Sequence, residues 1–354
     1  MKLATFRLAL KKTVKALDAL RQASIGYRAT FAGIIVAAVA VKADVSPSHP
    51  CPIDADLWLL GGQSNMEGVD LVRNNETPED PRIVMFDMTN AWVVAKEPVH
   101  RLYEAVAPVH RTLLMKRHTR NSATPEAAEQ GFLQVQDAMR KTPRGVGPGV
   151  AFAQAVLKET GRPIGLIPCA HGGSSMSAWD PALKDKGDHS LYGALLRRVE
   201  MIGGGKKIRG ILWYQGESDV SPQFAPNYEK NMLALIDSLR RDLEQPDLPI
   251  IYVQIGRYVR SPELAVGYET IREVQRRLIQ LRPRLYFTTA IDQPLVDPIH
   301  LSAIAQQCLG RRLAALALTH VYQRPGFGRQ IDLESIVKVN ASTIRLHGRP
   351  VMSS

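Results

Sequence analysis

From Ile164 to Ile291 the chain repeats one pattern, a short apolar run followed by a longer stretch with apolar residues at helical spacing. The runs are Ile164–Ile167, Ile208–Tyr214, Ile250–Ile255 and Leu285–Ile291, each of strand length and nearly continuous in its apolar character. Between them, Leu191–Met201 reads as a helix. So do two apolar sets, Met232, Leu235, Ile236, Leu239 and Leu243, then Ile271, Val274, Leu278 and Leu281. Strands buried on both faces and separated by helices form mostly parallel sheets with helices on either side. The pattern begins earlier with Leu57–Leu60, Ile83–Phe86 and a helix over Val150–Lys158. It ends with a helix from just after His300 to about Leu318. This predicts one doubly wound α/β domain over residues 56–322. Residues 100–144 interrupt it without a clean period, with several turn formers and a basic cluster (Arg111, Lys116, Arg117, Arg120). They read as a solvated loop or lid. In the tail, 323–354, Ile336–Val339 and Thr343–Leu346 flank Asn340-Ala341-Ser342, which predicts a hairpin.

Charge is uneven along the chain. Of the net +11, residues 1–43 hold +7, from five Lys and three Arg against Asp18, which leaves +4 for the rest. A body so mildly basic, with no aromatic-basic motif, does not read as a nucleic-acid binder. Phe31–Val41 is an uncharged apolar run, well short of the roughly 20 residues that span a bilayer comfortably. With a basic leader before it and Ala38-Val39-Ala40 near its end, it reads as a secretory signal cleaved near Val41. The expectation is export to the periplasm or beyond. A membrane anchor formed by residues 31–41 is the alternative, and membrane association is expected through this segment alone. Residues 44–55, with three prolines between Ser46 and Pro52, form a linker. Cys51, Cys169 and Cys308 are too few and too scattered for a disulfide framework or a zinc site, and burial as small apolar side chains is expected. One pair at most could join. No feature of the sequence specifies an oligomeric state.

Strand ends in such a sheet converge on one edge, where open α/β folds place their ligands. The Leu57–Leu60 run stops at Gly61-Gly62, and Gln63-Ser64-Asn65-Met66 follows. Ser64 there is a candidate nucleophile, provided that a base and an orienting acid reach it. The next strand end carries His171-Gly172-Gly173-Ser174-Ser175, a glycine pair that can aim backbone N–H groups at an oxyanion. Gln215-Gly216-Glu217-Ser218-Asp219 brings an amide and carboxylates to the same edge. Asp297-Pro298-Ile299-His300 follows the last strand, so one loop can hold a carboxylate against an imidazole whose other nitrogen faces a serine. Each piece also has a mundane reading. Ser64 can be a turn serine, and Asp297 can merely cap the next helix. Glu217 and Asp219 can be solvated loop charges, and His171 a structural or substrate-contacting residue.

Taken together, five ordered blocks resemble the sialate O-acetylesterase-like branch of the SGNH hydrolases, which includes the acetyl xylan esterases of carbohydrate esterase family six. They are Gly62–Met66, Gly147-Pro148-Gly149 with Phe152-Ala153, Gly172-Gly173 leading to Ala178-Trp179, Trp213–Glu217, and Asp297-x-x-His300-Leu301-Ser302. The likeness covers about residues 56–318. It implies a flavodoxin-like three-layer α/β/α fold and serine-dependent hydrolysis of acetyl esters on a carbohydrate substrate, with no metal or cofactor. By motif, Ser64 is the nucleophile, His300 the general base and later acid, and Asp297 the residue that orients His300. The implied oxyanion hole is the Ser64 N–H, the Gly173 N–H (or that of Gly172) and the Gln215 side-chain amide. Gln63, Asn65, Gly172 and Glu217 support the site. The chain departs from the family pattern at His171 and Met176, in the basic insert and in its short tail. Two other functions compete, a carbohydrate-binding protein without catalysis and a lipase or thioesterase of the broader superfamily. Intact Ser64, Asp297 and His300 argue against the first, and the Gln215-Gly216-Glu217 block against the second.

Overall fold

Asp56–Gly62 (β1) is the strand around which the sheet is assembled, with Leu57 to Gly62 buried without a break. The computed structural model describes residues 49–72, 79–259, 262–327 and 331–350. The signal-like segment and its cleavage site lie outside the described residues. β1 is followed by β2 (Ile83–Phe86), β3 (Trp92–Val94), β4 (Ile164–Pro168), β5 (Ile208–Tyr214), β6 (Ile250–Gln254) and β7 (Leu285–Thr289). These form one sheet in the order β3-β2-β4-β1-β5-β6-β7. Every neighbouring pair is parallel except β2 with β3. Counted among themselves, β1, β4, β5, β6 and β7 follow the flavodoxin-like order 2-1-3-4-5. The chain therefore changes direction across β1, and the loops after β4, β1 and β5 meet at one switch point.

The helices are α1 (Ser64–Glu67, a single turn), α2 (Pro108–Arg120), α3 (Pro125–Lys141), α4 (Gly149–Thr160), α5 (Leu191–Met201), α6 (Tyr228–Asp242), α7 (Ala265–Leu281) and α8 (Ala303–His320). α4 and α8 pack on each other over one face of the sheet, and α5, α6 and α7 supply the second helical layer. Large rings fill the space between the layers. Trp58 meets Phe152 edge-on at 4.8 Å, and Trp213 meets Trp179 in the same manner at 5.1 Å. Such pairs stabilise a core beyond the apolar area they bury.

The doubly wound domain and the hairpin are both present. β8 (Ile331–Lys338) and β9 (Ile344–Pro350) pair antiparallel, closing at Lys338 opposite Ile344. Residues 100–144, however, are not a loop, because most of the segment is the helix pair α2 and α3. Pro108 and Pro125 occupy first-turn positions, where a missing N–H costs nothing and the fixed φ favours a helix. The Thr124 hydroxyl accepts the Ala127 N–H and caps α3. α2 shows no apolar stripe because one of its buried positions is His110, beside Val109 and Leu114. Phe132 of α3 closes a small separate core with Met88, Leu102 and Leu114. The Arg111 guanidinium lies over its ring at 4.4 Å. β3 was not anticipated either, since three residues are too few to display a period. It is placed by the turn at Asp87, whose Oδ1 accepts the Thr89 and Ala91 N–H groups.

The three cysteines are free, Cys169 buried and Cys51 and Cys308 partly so. Among the described residues no helix is long and apolar enough to cross a membrane.

Candidate active site

The backbone leaves β1 through Gly62, at φ +126°, where a Cβ would lie 2.1 Å from the Tyr214 carbonyl oxygen. Only glycine fits so close to β5, and that closeness sets the first site loop directly against the third. Gln63 fastens the two. Its N–H donates to Tyr214 O at 2.8 Å, and its Oε1 accepts the Gly216 and Ser218 N–H groups. Ser64 then opens the single turn α1.

The His300 loop reaches Ser64 from the far side. His300 Nε2 is 3.0 Å from Ser64 Oγ, and His300 Nδ1 is 2.6 Å from Asp297 Oδ2. Asp297 does not cap α8. Its other oxygen accepts the Ile299 and His300 N–H groups, which folds the loop around its own carboxylate. The capping work falls to Ser302, which accepts from Ala305 N–H, and to Asp70, which accepts from Ala303 N–H. Against the cost of partial burial, the Ile299 N–H and the His300 ring and N–H hold the Asp297 carboxyl below the usual carboxylate range. An ionised carboxylate on Nδ1 keeps the proton there and leaves Nε2 as an acceptor for a serine proton.

Asn65 joins three loops. Its Nδ2 donates to Glu217 Oε1 at 2.7 Å and to Ile299 O at 3.2 Å, while its Oδ1 accepts the Leu301 N–H at 3.0 Å. The bonds to residues 299 and 301 hold the backbone on both sides of His300. Glu217 and Asp219 are buried, so neither is a solvated loop charge. Burial raises the pKa of each. Asp219 reaches the second loop, where its Oδ2 accepts the Met176 N–H at 2.9 Å.

That second loop runs along the end of β1, with the His171 N–H donating to Gly62 O. It turns at Gly172-Gly173, closed by Ser174 N–H on His171 O, with Gly173 at φ +74°. The Gly172 N–H is already used, donating to Glu67 Oε2 at 2.8 Å. Among the described residues no protein acceptor takes the Ser64 or Gly173 N–H. Gln215 is fully buried at the same edge. Its Nε2 is 2.5 Å from Asp219 Oδ2 and 3.2 Å from Ser174 O, so both of its N–H groups have acceptors within the protein.

The structure thus gathers Gln63, Ser64, Asn65, Gly172, Gly173, Gln215, Glu217, Asp297 and His300 at the switch point. It adds two residues that the sequence reading passed over, Glu67 and His110. His110 of α2 lies against His171, with Nδ1 to Nδ1 2.9 Å and the rings stacked at 5.2 Å. Burial drives both imidazoles toward neutrality, with His171 pushed down to about 4. One ring donates and the other accepts. No local pattern marks either residue, although the departure at His171 and the insert that carries His110 were both visible as departures. Among the described residues no cluster of His, Cys, Asp and Glu is arranged to hold a metal ion.

Known proteins share this framework. A sequence profile of the family described as carbohydrate esterase, sialic acid-specific acetylesterase, matches residues 54–319. A probable carbohydrate esterase of Arabidopsis thaliana, At4g34215, is 39% identical over 189 residues, which is 50% of this chain and 65% of that protein. The match therefore spans just under two thirds of that relative. Its solved structure covers 76% of this chain and 100% of its own, at a TM-score of 0.56 and 29% identity. XAC1771, a carbohydrate acetylesterase from Xanthomonas citri, shares the fold at a TM-score of 0.55 and 20% identity, over 80% of this chain and 60% of that one. NanS does so at 0.54 and 15%, over 79% of this chain and 100% of that one. With the profile running from the start of β1 to the end of α8, this chain belongs to the carbohydrate esterase family of sialic acid-specific acetylesterases.

Proposed function

We propose that the chain removes acetyl groups from hydroxyls of a sugar or polysaccharide by serine catalysis. The observation that carries this reading is the unbroken line Ser64 Oγ, His300 Nε2, His300 Nδ1, Asp297 Oδ2, with links of 3.0 and 2.6 Å. A protein that only binds sugar has no need of a base on a serine hydroxyl.

Ser64 Oγ attacks the acetyl carbonyl carbon as its proton passes to His300 Nε2. The carbonyl electron pair moves onto oxygen, where the Ser64 and Gly173 N–H groups receive it. Collapse breaks the bond to the sugar oxygen, which leaves with the proton from His300. Water then attacks the acetyl-serine, gives its proton to His300, and acetate departs as Ser64 recovers its hydrogen. Asp297 stays ionised throughout and stabilises the imidazolium. Gln215 works from beneath, holding the Ser174 carbonyl and Asp219 and so the shape of the second loop.

The test is acetate release from acetylated xylan and from O-acetylated sialic acid, with Ser64→Ala alongside. Release by the wild type, lost by a thousand-fold or more (~10³) in an alanine variant of unchanged melting temperature, is expected. An active alanine variant overturns the mechanism.

A further inference from the structure

Glu67 stands on the same single turn as Ser64, three residues on, so the two side chains leave that turn on one face. Its Oε2 accepts the Gly172 N–H at 2.8 Å. The fit is tight, because a Cβ on Gly172 would lie 2.8 Å from that Oε2 and 3.5 Å from Ser64 Cβ. Gly172 is thus wedged between the nucleophile and the Glu67 carboxyl, and its N–H is withdrawn from any reacting group. The next N–H in the loop, that of Gly173, has no protein acceptor among the described residues, and nothing lies within 4 Å of where a Cβ on Gly173 would stand. On its other side the loop is pinned by His110 against His171.

Resting on the serine-esterase reading above, we propose that Glu67 is a positioning residue that takes the Gly172 N–H and thereby presents the Gly173 N–H to the oxyanion. The carboxyl does this as the neutral acid. Burial pushes it up to about 8, against the Gly172 N–H and the Arg117 guanidinium, both of which lower it. Arg117 comes from α2, and Tyr103 from the turn Leu102–Glu104 also senses the Glu67 charge. The His110–His171 pair lies behind Gly172, and His300 bonds Ser64 on the same turn. A neutral acid beside the hole leaves the developing oxyanion undisturbed. An ionised one repels it, so turnover should fall as pH rises through about 8.

The experiment compares wild type, Glu67→Gln and Glu67→Ala in two assays. One is kcat on p-nitrophenyl acetate from about pH 6 to about pH 10. The other is the rate at which a p-nitrophenyl methylphosphonate labels Ser64. Glu67→Ala should lose about a hundred-fold in kcat with KM little changed, and should label correspondingly slowly, because the loop donor is misplaced. Glu67→Gln keeps an oxygen for the Gly172 N–H, so it should be far faster than the alanine variant and should lack the alkaline fall. An alanine variant as fast as wild type in both assays overturns the proposal, as does a glutamine variant that keeps the alkaline fall. Should the alanine variant fail to fold, the glutamine pH profile decides alone. A wild type that neither cleaves the ester nor takes the phosphonate at Ser64 refutes the serine-esterase reading instead.

Discussion

Asn65 Nδ2 lies 2.7 Å from Glu217 Oε1, a buried bond between the turn that carries the nucleophile and a loop 152 residues further along the chain. Among the described residues the second Glu217 oxygen is buried without a hydrogen-bond partner, and Asn65 is the side chain that satisfies the first. Asn65→Ala should therefore act twice. Leaving a buried acceptor unpaired costs about 1–3 kcal/mol of stability. Releasing the backbone at residues 299 and 301 lets His300 drift, which costs on the order of a hundred-fold in kcat. Thermal melting and p-nitrophenyl acetate kinetics measured together check both, and a variant that loses stability alone would remove Asn65 from the support of His300.

Gln215→Ala separates two roles by stability. A side chain that only donates to the oxyanion loses about a hundred- to a thousand-fold in kcat and leaves the melting temperature alone. Gln215 instead donates to Ser174 O and Asp219 Oδ2. Its removal takes a hydrogen bond from Ser174 O and leaves Asp219 Oδ2 with the Met176 N–H, so melting should fall by the equivalent of about 1–3 kcal/mol along with kcat, equally on small and sugar esters. Unchanged melting with the full loss of kcat would return Gln215 to the oxyanion hole.

His110→Ala tests whether α2 serves the site. The substitution leaves the His171 Nδ1 buried beside a void, and the loop that carries Gly173 loses its outer support. A fall in kcat of about ten-fold or more on p-nitrophenyl acetate is expected, with the acyl-enzyme still forming on Ser64. Wild-type kcat would mean that the helix pair only shields the site.

Stability should vary with pH in a direction fixed by Glu97, whose carboxyl burial pushes up to about 8 against the Gly147 and Val99 N–H groups. Unfolded, the same group titrates near about 4.3. The native chain therefore holds a proton that the unfolded chain releases. Glu97 contributes stability that is complete below about pH 4.3 and is lost as pH rises through about 8. Glu97→Gln keeps an acceptor and cannot ionise, so its melting temperature relative to wild type should rise between about pH 5 and about pH 9. A constant difference across that range would show that Glu97 ionises as freely in the fold as in the unfolded chain.

Several elements were legible from the residues alone. β2 and β5 begin and end where their apolar runs do, because strands buried on both faces must be written in apolar residues. The five blocks, each following a strand or opening a helix, put Ser64, Asp297 and His300 on one edge from the sequence alone. What the tertiary structure decided was the partner of each polar side chain. Glu67 meets Gly172 across 105 residues and His110 meets His171 across 61, and no spacing along the chain announces either contact. The same limit hid α2 and α3. A helix that buries a histidine through a hydrogen bond shows no apolar period, and first-turn prolines look like breaks until the chain beyond them is seen to coil. Hydrophobic pattern reports how a segment divides between water and core, averaged over many contacts. Whether Gln215 offers its N–H groups to an oxyanion or to Asp219 depends on one geometry, and that geometry exists only once the strands are side by side.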